Sequence, residues 1–219
     1  MQNLNGAFSE CASLARIEVD EDNPYFCSEN GVLFNKDKTA LIRIPEAHKD
    51  VAYTIPISVN EVKSFAFNGC TKLASIDIHD NVTNIKVGVF QECRNLKMLK
   101  IPRGVSIICS QLVKNCDKLE EIKMHEEITL IGNRAFEKCK SLKSIELPDS
   151  INHIEGSSFI GCTGLTEIHS RLENIDFIDE RTFKDVDKKK CVLFVPIGTK
   201  YTYKHHPAFK DFKTIITED

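Results

Sequence analysis

A single period governs this chain. Cysteines fall at Cys70, Cys93, Cys116, Cys139 and Cys162, each one constant step from the last. Three residues after each stands Leu73, Leu96, Leu119, Leu142 and Leu165, and three later Ile76, Leu99, Ile122, Ile145 and Ile168. Three before each lies Phe67, Phe90, Val113, Phe136 and Phe159. Several apolar columns held in one register through five copies define a repeat array, and a period of this size defines a solenoid in which each coil packs on its neighbours.

Within one coil the pattern is that of short strands. Leu142, Ile145 and Leu147 point inward while Ser144 and Glu146 alternate outward, a period of two. Pro148 has no amide hydrogen to continue a ladder and ends the strand. Ile151 and Ile154 predict a second short strand, and the stretch from Ser158 through Cys162 a helical turn back. Corresponding strands should stack in parallel at about 4.8 Å.

The spacing divides one domain, 1–219, into four parts. Residues 1–19 repeat the pattern from Ala7-Phe8 onward through Cys11, Leu14, Ile17 and Val19, a partial first repeat with no polar cap before it. That absence predicts a parent protein extending N-terminally, or a trimmed chain. Residues 20–56 break register: the interval from Leu14 to Leu73 is not a whole number of periods, so one repeat carries an insertion. The runs GVLF and ALIRI around a polar connection predict an inserted hairpin, and Ile42, Ile44 and Pro45 read as the I-x-I-P step that keeps it in the stack. Residues 57–170 are the regular repeats. Residues 171–219 hold a last irregular repeat, with Phe183 in the phenylalanine column one position later than the period places it after Phe159. A cap follows: a strand ending at Pro196, a helix from Gly198 halted by Pro207, then Phe209, Phe212, Ile215 and Ile216 folded over the last coil.

Composition narrows the function. Lys plus Arg number 29 against 32 Asp plus Glu, a net charge of −3, which lacks the basic footprint of a nucleic-acid binder. No run of about 18 apolar residues crosses a membrane. The start, MQNLNGAFSE, lacks the basic and apolar regions of a signal peptide. Nine cysteines, six of them (with Cys11) in one repeat position, predict a buried thiol column. No C-x-x-C points to zinc or redox chemistry, and Cys27, Cys109 and Cys191 have no assigned role. His125-Glu126-Glu127-Ile128-Thr129 begins like H-E-x-x-H, but Thr129 stands at the second ligand position. His205-His206 suits a surface position better than a metal, and Asn81-Val82-Thr83 is a lone glycosylation sequon. No G-x-S-x-G or phosphate-cradling loop occurs. Catalytic, cofactor and metal sites are therefore expected to be absent.

The unit C-x-x-L-x-x-I-x-(I/L)-P-x-x-(V/I)-x-x-I-x-x-x-(A)-F resembles the BspA-like, treponemal-type leucine-rich repeat family of bacterial surface proteins. Leu112-Val113 replace A-F in one coil, and His79, His125 and Arg171 stand where Pro102 and Pro148 do. The resemblance implies a β-rich leucine-rich-repeat solenoid: a curved right-handed stack of 23-residue coils with parallel strands, short helical turns and a C-terminal cap. It further implies an extracellular or cell-surface protein used in adhesion, binding a protein or other macromolecular ligand. The candidate binding stripe is the row of outward strand residues Arg16, Glu18, Ser75, Asp77, Met98, Lys100, Glu121, Lys123, Ser144, Glu146, Glu167 and His169. The inserted segment with Tyr25, Phe26 and Tyr53 is the second contact region. The alternative to a binding module is a spacer that projects another domain.

Overall fold

A computed structural model describes residue 8 and residues 11–218; Ala7, the first half of the expected A-F step, lies outside the described residues. Strands β1 (Phe26–Glu29), β2 (Val32–Asn35) and β3 (Ala40–Arg43) precede β4 (Ala52–Thr54) and β5 (Glu61–Val62). The regular coils supply β6 (Ser75–Asp77), β7 (Asn84–Ile85), β8 (Met98–Lys100), β9 (Ile107–Ile108), β10 (Glu121–Lys123) and β11 (Leu130–Ile131). Then come β12 (Ser144–Leu147), β13 (His153–Ile154), β14 (Glu167–Ser170), β15 (Val192–Pro196), helix α1 (Lys200–His205) and β16 (Thr214–Glu218).

Each regular coil gives one strand to each of two columns. The first runs β4, β6, β8, β10, β12, β14, β15, β16, and every pairing recorded in it is parallel. Where strict pairing lapses between β6 and β8, the Lys97 amide still reaches the Ala74 carbonyl at 3.2 Å. The second column holds β5, β7, β9, β11 and β13, with Ile178 bridging to Ile154.

The expected hairpin is present, β2 antiparallel to β3, and β1 adds a third strand. It stays in the stack, but by a different step. β3 pairs in parallel with β5, Ala40 with Glu61 and Leu41 with Val62, so it occupies the second column. Ile44 then sits in the phenylalanine column, where its amide bonds the Ala66 carbonyl at 2.8 Å. The I-x-I-P step of this coil is Tyr53–Pro56, beginning in β4. The motif at Ile42–Pro45 mimics that step because both carry alternating apolar residues before a proline.

The arc that turns each coil back is held by a second backbone ladder. Amides of Phe65, Phe67 and Gly69 donate to the carbonyls of Val87, Val89 and Gln91 on the next coil, at 3.0, 2.9 and 3.0 Å. Gly88, Phe90 and Glu92 donate in the same way to Ser110, Leu112 and Lys114, and Gln111, Val113 and Asn115 to Asn133, Ala135 and Glu137. The arc over Ser158–Cys162 is not a helical turn. It closes by bonds between residues three apart, Ile160 to Ser157 and Cys162 to Phe159, with Ser157 and Gly161 in the left-handed region. Both positions recur in that conformation in every regular coil, as Gln111 and Asn115 or Arg134 and Lys138. A side chain there costs about 1–2 kcal/mol. At Gly88 a Cβ would also run into the Phe65 ring.

Behind the arc the columns are buried. Phe136 stacks on Phe159 at 4.7 Å and Phe159 on Phe183 at 5.2 Å. The thiols do more than fill volume: Cys93, Cys116, Cys139 and Cys162 donate to the carbonyls of Phe67, Phe90, Val113 and Phe136, one coil back, at 3.0–3.2 Å. Cys11 does not join them. It is exposed. At the other end Tyr203 of α1 is fully buried, and its hydroxyl donates to the Leu172 carbonyl at 2.8 Å and meets the Ser170 hydroxyl at 2.6 Å. Phe209, Phe212 and Ile215 are buried over the last coil as expected, whereas Ile216 faces outward, since β16 adds a paired strand rather than folding across the end.

Three tests follow from this packing. Lys138→Gly relaxes a left-handed residue at the position where two other coils use Gly69 and Gly161, and should raise stability by about 0.5–1 kcal/mol in urea titration. Burial pushes the Cys70 and Cys162 thiols up to about 12 and the three between them well above the ordinary value of 9.0. Stability that depends on neutral thiols is fully present below that ordinary value and is lost as pH rises toward the raised ones. The melting temperature should be insensitive to these groups below pH ~8 and fall at higher pH, each thiol costing about 1.4 kcal/mol per pH unit. Mass-spectrometric alkylation should label the five only in denaturant.

Candidate functional site

The outward residues of the first column form one continuous face. The register Glu121↔Met98 and Lys123↔Lys100, then Ser144↔Glu167 and Glu146↔His169, aligns them in two rows one strand apart. Ser75, Asp77, Met98, Lys100, Glu121, Lys123, Ser144, Glu146 and Glu167 are exposed and His169 is half-buried. The inward Ile or Leu between each pair anchors the row to the core, so these side chains stand on rigid backbone. Arg16 and Glu18 are exposed and pair with each other, but they lie outside the strands: the Ile17 amide bonds the Gly31 carbonyl of the β1–β2 turn at 2.9 Å.

The same register adds residues that the sequence pattern did not single out. Ala52 and Thr54 extend the rows at one end, and Val192, Phe194, Thr214 and Ile216 at the other. Phe194 lies flat on the His169 ring at 4.3 Å. His169 Nδ1 sits 3.1 Å from Glu218 of β16, two strands away, while Nε2 faces Glu167 at 3.5 Å. The aromatic that the stripe lacked is supplied by the cap. The step from Glu167 to Val192 is longer than the repeat period, which hid Phe194 from the pattern.

The second contact region shrinks. Tyr25 is exposed, but Tyr53 turns inward and meets the Phe67 ring edge-on at 5.6 Å. Burial pushes its phenol well above the usual range.

The histidines act as ties between coils. His79 Nε2 meets the Pro56 carbonyl at 2.9 Å and His125 Nε2 the Pro102 carbonyl at 3.0 Å. A histidine in the proline column restores a donor between coils that proline cannot supply. His205 is taken up by the Tyr201 carbonyl and His206 by the Ala208 amide. Among the described residues no group of three or more His, Cys, Asp or Glu could hold a metal ion. None of the described helices is long and apolar enough to cross a membrane.

The repeat unit itself is diagnostic: a family model for the BspA type leucine rich repeat region, in 6 copies, matches residues 51–166. The chain belongs to this family. No curated protein sequence matches it. The fold is similar to that of the pneumococcal vaccine antigen PcpA, with 24% identity and a TM-score of 0.60 over 93% of this chain and 50% of that one. A leucine-rich repeat protein from Bacteroides ovatus shares 25% identity with a TM-score of 0.60, over 81% of this chain and 47% of its own. A leucine rich cell surface protein from Faecalibacterium prausnitzii gives 22% and 0.55, over 72% and 58%. The chain thus spans about half to three-fifths of these relatives' lengths. The Faecalibacterium prausnitzii relative is a cell surface protein.

Within this BspA-type face, one pairing runs against ordinary sheet economy. Lys100 and Lys123 are direct partners across parallel strands, and like charges so placed are destabilising. The Lys123–Glu121 contact, 3.4 Å on exposed side chains, is worth little. Lys123→Thr should therefore raise stability by about 0.2–1 kcal/mol. A lowered denaturant midpoint would show that the lysine pair is not a cost to the fold.

Proposed function

We propose that this chain is a non-catalytic binding module of a bacterial cell-surface or secreted protein, serving adhesion or contact with host or other cells. One observation carries the reading. Outward residues of the first strand column make an extended polar surface on a rigid backbone, and repeat proteins bind macromolecules along such surfaces. The chemistry of the chain agrees: its regular-column thiols are buried and held protonated, and its coil-tying histidines are engaged by backbone carbonyls. The alternative, a spacer with no ligand of its own, draws support from the scarcity of aromatics, since interface hot spots favour Trp, Tyr and Arg and the face offers Phe194 at one end only.

Binding of the purified chain to immobilised host matrix proteins separates the two. The module reading expects saturable binding that weakens with added salt. It should also be lost in the double variant Lys100→Glu/Lys123→Glu with little change in melting temperature, as is usual for exposed positions. Binding that ignores changes on the strand face, or none to any macromolecular probe, favours the spacer.

A further inference from the structure

The signs of charge on the strand face are sorted along the stack. Between Lys97 and Lys143 the exposed cations at or entering the strands are Lys97, Lys100, Lys118, Lys123, Lys140 and Lys143; the acids among them are Asp117, Glu120 and Glu121. Six against three leaves an excess of three positive charges, in a chain whose net charge is −3. Past the strands' far ends Arg103 stands with Asp80, Glu126 and Glu127, so the cationic excess is confined to the entry side. Backbone bonds set the spacing: Glu120 donates to Lys97 and Lys143 to Glu120, so Lys97 and Lys143 lie in one row two coils apart, about 10 Å. Lys123 pairs with Glu121 and Lys140 with Asp117. Among the described residues no carboxylate lies within ion-pair distance of Lys97, Lys100, Lys118 or Lys143. Asp77 and Glu146, one strand beyond the Lys100–Lys123 pair on either side, bound the patch.

We infer that this stretch of the face, from the entry of β8 to the entry of β12, is a docking surface for a sulfated polysaccharide. The inference rests on reading the chain as a binding module and names the chemistry of its partner. Three ammonium groups without carboxylate partners, those of Lys97, Lys118 and Lys143, and two lysines facing each other in register keep a field that ordinary pairing would neutralise. The patch offers no other means of recognition. Its strands β8 and β10 pair with each other and are flanked by β6 and β12 of the adjoining coils, so there is no open sheet edge at which an acidic peptide could add as a strand. No aromatic side chain stands there for bases to stack on. Lysines act as point charges rather than bidentate forks. They suit a partner that carries dense, repeated anionic groups along a stiff chain and needs no pocket.

The test uses the full chain with size-defined heparin oligosaccharides as the probe, read by titration calorimetry. The expected result is saturable binding that falls severalfold between about 50 and about 200 mM salt. The double variant Lys97→Glu/Lys143→Glu should weaken it at least about tenfold, whereas Lys189→Glu/Lys210→Glu, exposed outside the patch, should leave it unchanged. Melting curves establish that each variant is folded. Equal binding of desulfated heparin, polyglutamate or duplex DNA would overturn the inference, as would a patch variant that binds like the parent. If heparin fails while a matrix protein still binds the strand face, the polysaccharide inference alone falls. If neither binds, the binding-module reading falls with it.

Discussion

Everything in this protein depends on one backbone ladder: amides on the arc of each coil donating to carbonyls on the arc of the next. Within the regular coils it sets Phe136 on Phe159 and lets each thiol reach a carbonyl one coil back. The ladder carries a step one residue longer than the period as well: the Phe159 amide reaches the Thr182 carbonyl at 3.0 Å, and Phe159 still stacks on Phe183. It also explains how residues as unsuited to left-handed backbone as Phe65 or Arg134 remain there. Their amides or their arc neighbours are fixed by the next coil, and the surrounding bonds outweigh the local strain.

The same ladder shapes what the protein can do. Stacked coils yield a broad face on rigid backbone, so chemistry at the surface is set by which side chains the register brings side by side. In the middle it brings lysines together; toward the cap it brings Phe194, His169, Glu167 and Glu218 together. A partner that reads this surface must do so by distributed charge in the first region and by a single aromatic contact in the second.

Where reading the sequence succeeded and failed follows from the range of the interactions involved. The hairpin, the short strands, the thiol column at Cys70–Cys162 and the helix before Pro207 were legible, because each is set by residues close in sequence or by an unbroken period. The hairpin's place was misjudged, since Ile42–Pro45 imitates the strand step locally and only pairing of β3 with β5 reveals its true column. Cys11 carried the repeat signature yet is exposed, whereas the five regular cysteines are buried. The arc at Ser158–Cys162 looked helical because bonds between residues three apart also close turns, and the left-handed residues that interrupt it leave no signature when they are Arg, Gln or Lys.

By itself the sequence determined the solenoid, its period and the identity of every core column, since buried positions in a repeat must recur with the period of the backbone that places them. Only the tertiary structure decided the surface. Which exposed residues share a row depends on coil-to-coil register, and that register survives changes in spacing: the step between the strand partners Glu167 and Val192 is longer than the period, and the step from Val192 to Thr214 is shorter. Phe194 joins His169 across the first of those irregular steps, and Lys100 meets Lys123 across a regular one. Packing of apolar groups repeats and can be read from a list of residues; the juxtaposition of solvent-facing side chains does not, and takes its meaning from the ladder that sets neighbours side by side.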